Sequence, residues 1–404
     1  MDILVLVIFC FVYLGMILGR IPGLALDRTG LALLGAIGLV IAGRVSLTHF
    51  AAAVDMPTIM LLFGLMVISA QFRLSGFYSH LIRHIAKTEL SPPTLLALII
   101  GAVGLLSAVL ANDIVCLAVA PVLIEACDRR QLDPKPFLLA LACAANVGSA
   151  ATLIGNPQNI LIGQILHLSF SGYLWDALIP SVLGLALVWL IINRFTAGKW
   201  HLVRKTRPVE SPPHSNWQTS KGLIIVMILV VMFLASPWPR EIIALAAAGI
   251  LLCSRRMRSR EMLGLVDWQL LVLFISLFVV NYAFSAAGYL DGLKNTLVSG
   301  GVNPDHPAAL FGISVVLSNI VSNVPAVMLL LPTSHHLMAG SVLALSSTLA
   351  GNLFIVGSIA NIIVIDQASR LGIHISWREH ARIGIPVTLA TLAVAGVWLW
   401  IRML

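Results

Sequence analysis

Long apolar runs, separated by short polar and basic segments, dominate the chain and predict membrane-spanning helices. Many runs approach 20 residues, the length that crosses the hydrocarbon core of a bilayer. The first run follows Asp2 without a basic segment or an A-x-A site after it, which predicts a retained span rather than a cleaved signal. Ten spans are predicted, at residues 3–19, 29–44, 55–74, 137–166, 173–194, 221–236, 241–254, 267–286, 342–366 and 382–402.

Two further apolar stretches, residues 93–127 and 305–338, are interrupted near their centres by amide and small residues. The interruptions fall at residues 111–113 and 318–325. We expect each stretch to form a re-entrant hairpin that enters and leaves the membrane on the same side. These hairpins complete a prediction of an all-α polytopic membrane protein.

Composition and charge support the membrane interpretation and set an orientation. Hydrophobic residues make up 59% of the 404 residues and charged residues 10%, which excludes a soluble enzyme, a disordered chain and a nucleic-acid binder. With the N-terminus outside, 21 of the 25 Lys and Arg residues fall on the cytoplasmic side. We therefore expect a bacterial-type cytoplasmic membrane, both termini outside, and a cytoplasmic linker over residues 195–220.

The two halves that flank this linker share a register. An offset of 212 residues joins three pairs: Arg28 and Arg240, Asp55 and Asp267, and Gly76 and Gly288. Each half holds five predicted spans and one hairpin. Because five is odd, residues 1–194 and 221–404 are predicted to be inverted repeats, which are typical of secondary transporters.

Each half also contains an apolar span that small and amide residues break, at residues 145–159 and 350–361. Unwound backbone persists in a membrane only where it is buried in protein or faces water. It exposes helix N-termini, which attract anions, and carbonyl groups, which can bind a cation. The four interruptions therefore supply the candidate substrate and ion site: Asn112, Asp113, Asn146, Gly148, Ser149, Thr152, Gly155, Asn156, Asn159, Ser318, Ser322, Asn323, Asn352, Gly357, Ser358 and Asn361.

Asp113 is the one carboxylate that the predicted spans place deep in the membrane. Such carboxylates are costly and usually functional, so Asp113 is the candidate coupling residue for a proton or cation. Glu125 and Asp366 lie near span ends, where an interfacial position is expected. Gln71 and Asn281 are expected to be helix contacts. We predict no cofactor and no resident metal, and the coupling ion is H⁺ or Na⁺.

The passages LANDIVCLAVAPVLI, ANVGSAATLIGNPQNILI, SNIVSNVPAVMLLLP and AGNLFIVGSIANIIV resemble the ion transporter superfamily. That superfamily includes arsenite permeases, dicarboxylate symporters and NhaD-type antiporters, and the similarity is strongest to arsenite-permease-like bacterial anion permeases. The resemblance implies an elevator mechanism. It implies scaffolds at residues 1–75 and 221–288, which would also form a homodimer interface, and transport elements at residues 92–194 and 304–404. It places six residues at or near the substrate and ion sites: Asn112, Asn146, Ser318, Asn323, Asn352 and Ser358.

The main functional expectation is a secondary active transporter of an anion or oxyanion, coupled to protons or sodium. Arsenite or antimonite efflux by proton exchange and sodium/proton antiport remain alternatives. The first hairpin tip reads Ala-Asn-Asp, whereas sodium–dicarboxylate symporters carry Ser-Asn-Thr, and this difference favours proton coupling. An intramembrane enzyme is disfavoured because the chain has no HExxH or GxSxG motif. The chain also has no P-loop, and a separate soluble ATPase is left open as a partner.

Overall fold

The computed structural model describes residues 2–19, 25–202 and 212–404, and this part of the chain is helical without a β-strand. The helices before the linker are α1 (Ile3–Leu18), α2 (Arg28–Ile41), α3 (Leu47–Ala53), α4 (Met56–Leu74), α5 (Phe77–Lys87), α6 (Pro92–Val109), α7 (Asn112–Arg129), α8 (Pro134–Ser149), α9 (Pro157–Ile165) and α10 (Phe170–Thr196). The helices after it are α11 (Asn216–Ala235), α12 (Arg240–Leu252), α13 (Ser259–Leu263), α14 (Trp268–Ala286), α15 (Tyr289–Ser299), α16 (Pro307–Val321), α17 (Asn323–Leu330), α18 (Ala339–Ala350), α19 (Ile359–Arg370) and α20 (Trp377–Met403). Short 3₁₀ turns occupy Leu331–Thr333 and Ile355–Gly357.

Six of the described helices, α4, α6, α10, α11, α14 and α20, are long and apolar enough to cross a membrane. Five shorter apolar segments accompany them. The predicted spans at 137–166 and 342–366 are each divided, into α8 with α9 and into α18 with α19. The chain is a multi-pass membrane protein. The segment between α10 and α11 is shorter than the predicted linker of residues 195–220, because α10 ends at Thr196 and α11 begins at Asn216. Residues 203–211 of this segment lie outside the described part.

The order and lengths of the helices recur after the linker. Helix α4 and helix α14 each contain 19 residues, and both begin after an aspartate that caps the helix. The carboxylates of Asp55 and Asp267 accept from Thr58 N at 3.1 Å and Leu270 N at 2.9 Å. Both helices are followed by a left-handed glycine and an 11-residue helix, α5 or α15. The opposite orientation of the second copy stays a prediction.

Helices α5 and α15 were not predicted, because they are short and only one face of each is apolar. Each is joined to the hairpin that follows it by an ion pair. Arg83 of α5 lies 3.0 Å from Glu125 at the end of α7, and Lys294 of α15 lies 3.0 Å from Asp305 before α16. The ammonium group of Lys294, which donates to Asp305, holds the pKa of that carboxyl below its usual range.

Two groups of helices pack internally. Helices α1, α2, α4, α11, α12 and α14 contact one another, and α7, α8, α9, α17, α18 and α19 form a second group. Helices α6, α10, α16 and α20 pack outside the second group. Hydrogen bonds join the hairpin tips to the first group: Ala111 N donates to Ser69 Oγ at 3.2 Å, and Tyr13 Oη donates to Pro325 O at 3.4 Å. Each of the four interruptions precedes a helix of the second group, namely α7, α9, α17 or α19.

Candidate substrate and ion site

Four helix N-termini line one small cavity between the two hairpins and the two broken spans. They are the first residues of α7, α9, α17 and α19. The cavity measures about 20 Å³ and is lined by Asn112, Asp113, Asn146, Asn156, Pro157, Gln158, Ser322, Asn323, Val324, Ser358 and Ile359. Each helix N-terminus carries about half a positive charge. The four together create a positive region without Lys or Arg among the lining residues.

Asn146 links the first half of the chain to the second half within this site. Its amide nitrogen donates to Asn352 Oδ1 at 2.8 Å and to Asn361 Oδ1 at 3.1 Å, and its oxygen accepts from Ser358 Oγ at 2.8 Å. The four side chains are at most 5% exposed. Both broken spans are therefore held together by one amide network beside the cavity.

Thr348 of α18 is the centre of a second network and was not predicted. Its hydroxyl accepts from Gln158 Nε2 at 3.1 Å and Asn156 Nδ2 at 3.3 Å, and donates to Asn159 Oδ1 at 3.2 Å. Asn156 also donates to Ser149 Oγ at 2.9 Å. Thr348 follows Ser346 and Ser347 inside an unbroken helix, before the predicted break begins, so only tertiary packing reveals its role.

Asn323 at the second hairpin tip completes the link to α9 and α18. With its amide nitrogen toward Ser347 O (3.1 Å) and Gly357 O (3.2 Å), its oxygen accepts from Gln158 Nε2 at 3.3 Å. Gln158 was not among the predicted site residues, although it lies within the first broken span. It contacts both the second hairpin tip and α18.

Gly155 and Asn159 have the same G-x-x-x-N spacing as Gly357 and Asn361, and the two breaks contain the same hydrogen bonds. Asn159 Nδ2 donates to Thr152 O at 3.0 Å and to Ser149 O at 3.4 Å. Asn361 Nδ2 donates to the carbonyls of the equivalent positions, Phe354 at 3.1 Å and Gly351 at 2.8 Å. In each break, one asparagine satisfies carbonyl groups that the unwound backbone leaves free. These two asparagines act on the backbone and lie outside the cavity lining.

The predicted glycines allow close backbone approach and do not line the cavity. A Cβ atom on Gly148 would lie 2.3 Å from Gly104 O of α6, and one on Gly155 would lie 2.4 Å from Ser149 O. On Gly357 it would lie 3.0 Å from Asn319 Oδ1. A side chain at Gly148 would therefore force helices α6 and α8 apart, and one at Gly155 would force the break away from the end of α8.

Three candidates retain buried polar atoms without a partner among the described residues. They are Asn112 Oδ1, Asn352 Nδ2 and Ser318 Oγ. Only Asn112 of these lines the cavity. Thr152 donates to Ala108 O of α6 and thereby joins the first break to the first hairpin. Free amide atoms of this kind are suited to bind oxygen atoms or hydroxyl groups of a ligand.

Asp113 connects the small cavity to a larger one. Its side chain also lines a cavity of about 280 Å³, together with Arg73, Asn156, Asp267 and Ile363. Asp267 caps the start of α14 and Arg73 lies in the last turn of α4. The larger cavity therefore reaches the hairpin tip from the side where α4 ends and α14 begins.

On the opposite side, where α4 begins, a separate cavity of about 510 Å³ is lined by Asp55, Gln164, Arg240 and Glu241 but not by Asp113. Polar contacts join two helices at this cavity. Arg240 Nη2 donates to Gly163 O at 2.8 Å, and Gln164 Nε2 donates to Glu241 Oε2 at 3.0 Å. These bonds join the end of α9 to the start of α12. Helix α9 also packs against α4. Asp113 thus lines the cavity on one side of the protein and does not line the cavity on the other.

Comparison with known families decides the class of protein. The family CitMHS, described as citrate transporter, matches residues 4–342. The chain belongs to this family. It is accordingly a secondary membrane transporter of the anion-transporting class and not an enzyme, and the predicted ion transporter superfamily is confirmed.

Relatives extend over nearly the whole chain. The 46 kDa membrane protein of Mycobacterium leprae is 28% identical and covers 100% of this chain and 99% of its own length. The Silicon efflux transporter LSI3 of Oryza sativa subsp. japonica is 27% identical over 93% of this chain and 92% of its own. The inner membrane protein YbiR of Escherichia coli is 29% identical over 91% and 94%.

A solved structure shares the fold. The YdaH transporter of Alcanivorax borkumensis superimposes with a TM-score of 0.61 and covers 99% of this chain and 97% of its own, at 17% identity. At this identity the likeness concerns the fold alone. The helical architecture described above is therefore one that a transporter adopts.

Proposed function

We propose that the protein is a secondary active transporter that moves a small oxyanion or organic anion across a bacterial cytoplasmic membrane, coupled to protons through Asp113. The observation that carries the proposal is the convergence of four helix N-termini and one carboxylate on a single cavity. The N-termini stabilise negative charge on the ligand. Asp113 supplies a group that can take up a proton.

Alternating access is proposed because Asp113 is open on one side only. With the N-terminus outside, the side of Asp267 is cytoplasmic, and the structure is then the inward-open state. The two packed groups of helices would be the scaffold and the moving elements of an elevator, with the scaffold as the homodimer interface. Any soluble ATPase partner would bind the cytoplasmic face.

A weak oxyacid in its neutral form is the second candidate substrate, and arsenite or antimonite would be examples. Among the cavity-lining residues there is no Lys or Arg, so a full negative charge has no matching cation there. The rice relative is named a silicon efflux transporter, and silicic acid is also a weak oxyacid. Sodium/proton antiport, with Asp113 as the cation site, is the remaining alternative.

Transport in proteoliposomes tests the proposal. The purified protein would be given arsenite, silicate, phosphate, sulfate, succinate and citrate in turn, under a pH gradient and then a sodium gradient. We expect flux of one substrate that the pH gradient drives and that Asp113→Asn abolishes, while Asp291→Asn, an exposed change on α15, has no effect. Sodium-driven flux that survives Asp113→Asn would contradict proton coupling through this residue.

A further inference from the structure

We infer that Arg28 and Asp366 form an ion pair that closes the site on the side where it is open in this structure. The inference rests on the proposed alternating access. It concerns two residues outside the cavity, one at the start of α2 and one in α19. The two residues would be unpaired in the present state. They would pair in the opposite state, in which the site is closed on this side.

The repeated architecture identifies the two residues. Arg240, which contacts Gly163 O, is the counterpart of Arg28 at the offset of 212 residues. The broken spans correspond at an offset of 202 residues, which relates Asn159 to Asn361. The same offset relates Gln164, the neighbour of Gly163, to Asp366.

The two repeats are in different arrangements in this structure. Helix α9 packs against α4 and is bonded to the start of α12. No comparable packing joins their counterparts α14 and α19, which both line the larger cavity through Leu270 and Ile363. If the repeats exchange arrangements, α19 approaches α14, and its last turns approach the start of α2. Arg28 then meets Asp366 as Arg240 now meets the end of α9.

Charge and exposure suit both residues to such an exchange. In the present contact the guanidinium of Arg240 donates to a backbone carbonyl, and the amide of Gln164 donates to a carboxylate. In the exchanged contact a guanidinium, that of Arg28, would pair with a carboxylate, that of Asp366. Asp366 at present pairs with Arg370, 2.8 Å away and one helical turn along α19, and their side chains are 48% and 71% exposed. Exposed pairs of this spacing contribute little stability. Asp366 can therefore change partners at small cost.

Cross-linking tests the pair without knowledge of the substrate. Cysteines at 28 and 366, in a background without the exposed Cys10 and Cys253, would be treated with a short bis-maleimide in proteoliposomes. A second pair, at 164 and 241, reports the present state. Cysteines at 28 and 367 serve as the matched control, since residue 367 is turned about 100° around α19.

We expect 28–366 cross-linking to rise, and 164–241 cross-linking to fall, when Arg240→Ala removes the closed contact. The expected change is two- to fivefold, as for the loss of about one partly buried polar contact. Arg28→Glu should slow transport by a similar factor, and the double variant Arg28→Glu with Asp366→Arg should restore it. Arg370→Ala should leave transport unchanged.

Two outcomes would overturn the inference. In one, 164–241 cross-linking falls but 28–366 cross-linking does not exceed that of 28–367. In the other, 164–241 cross-linking is constant under every gradient, which would also overturn alternating access. Exchange of the two cross-links in a protein that moves none of the tested substrates would support the ion pair and reject only the proposed substrate class.

Discussion

Removal of the Asn146 side chain is the sharpest test of the amide network between the halves. Asn146→Ala eliminates three hydrogen bonds, to Asn352, Asn361 and Ser358. A buried neutral hydrogen bond contributes about 1 kcal/mol net, so the loss amounts to about 3 kcal/mol in the free energy of unfolding. Asn352→Ala removes one of the three bonds and should cost about 1 kcal/mol.

Ser346→Ala is the matched control on α18. Ser346 is fully buried like Asn146, but its hydroxyl donates only to carbonyls of its own helix, Val342 O at 2.6 Å and Leu343 O at 3.4 Å. Those carbonyls belong to a continuous helix whose backbone bonds remain when the hydroxyl is lost. The control should therefore change stability by less than about 1 kcal/mol.

Unfolding in detergent and transport in proteoliposomes are measured on the same samples. The expected order of destabilisation is Asn146→Ala, then Asn352→Ala, then Ser346→Ala. Transport should be impaired in the first two variants, because both asparagines position the walls of the cavity. An Asn146→Ala protein as stable and as active as the Ser346→Ala protein would refute the network as the link between the halves.

Two further substitutions test how the helices around the site are held. Gly148→Ala should lower the free energy of unfolding by about 1–3 kcal/mol, because its Cβ atom would lie 2.3 Å from Gly104 O. The control Gly101→Ala on α6, whose Cβ atom would have no atom within 4 Å, should be neutral or stabilising. Thermal unfolding of the two variants distinguishes these outcomes. Asp176→Asn should lower the free energy of unfolding by about 1 kcal/mol and weaken the salt dependence of stability. The reason is that the buried carboxylate of Asp176 accepts from Arg402 Nε and Nη2 at 3.0 Å. Equal salt dependence in the variant and the unchanged protein would contradict this.

The interruptions of the helices could be predicted from sequence because they are local. Asn, Gly, Ser and Pro residues in an otherwise apolar run are conspicuous, and the breaks at 145–159 and 350–361 fall where the structure unwinds α8–α9 and α18–α19. Glu125 pairs with Arg83 at 3.0 Å, and its interfacial position stays a prediction. Gln71 bonds Gln218 at 3.0 Å, as expected of a helix contact.

The roles of single residues within the breaks could not be predicted, because they depend on partners far away in the chain. Thr348 bonds Asn159, 189 positions earlier, and nothing in its own segment indicates this. Gly148 resembles a ligand-binding position in sequence, yet the adjacent Gly104 backbone accounts for it. Helix α5 could not be predicted from apolar runs, because it is short and only one of its faces is apolar.

Under the proposed function, the charge of the cavity determines whether the proton and the substrate cross in the same direction or in opposite directions. An ionised Asp113 repels an anion that the helix N-termini attract, whereas a protonated Asp113 does not. Proton and anion therefore favour each other's binding, and this coupling is reciprocal. Co-transport is then favoured over exchange, so we expect proton symport for an anion substrate. A neutral oxyacid has no such electrostatic link to Asp113, and it would instead be compatible with exchange against protons. The direction of the pH gradient that drives flux consequently separates the two substrate classes before either is identified chemically.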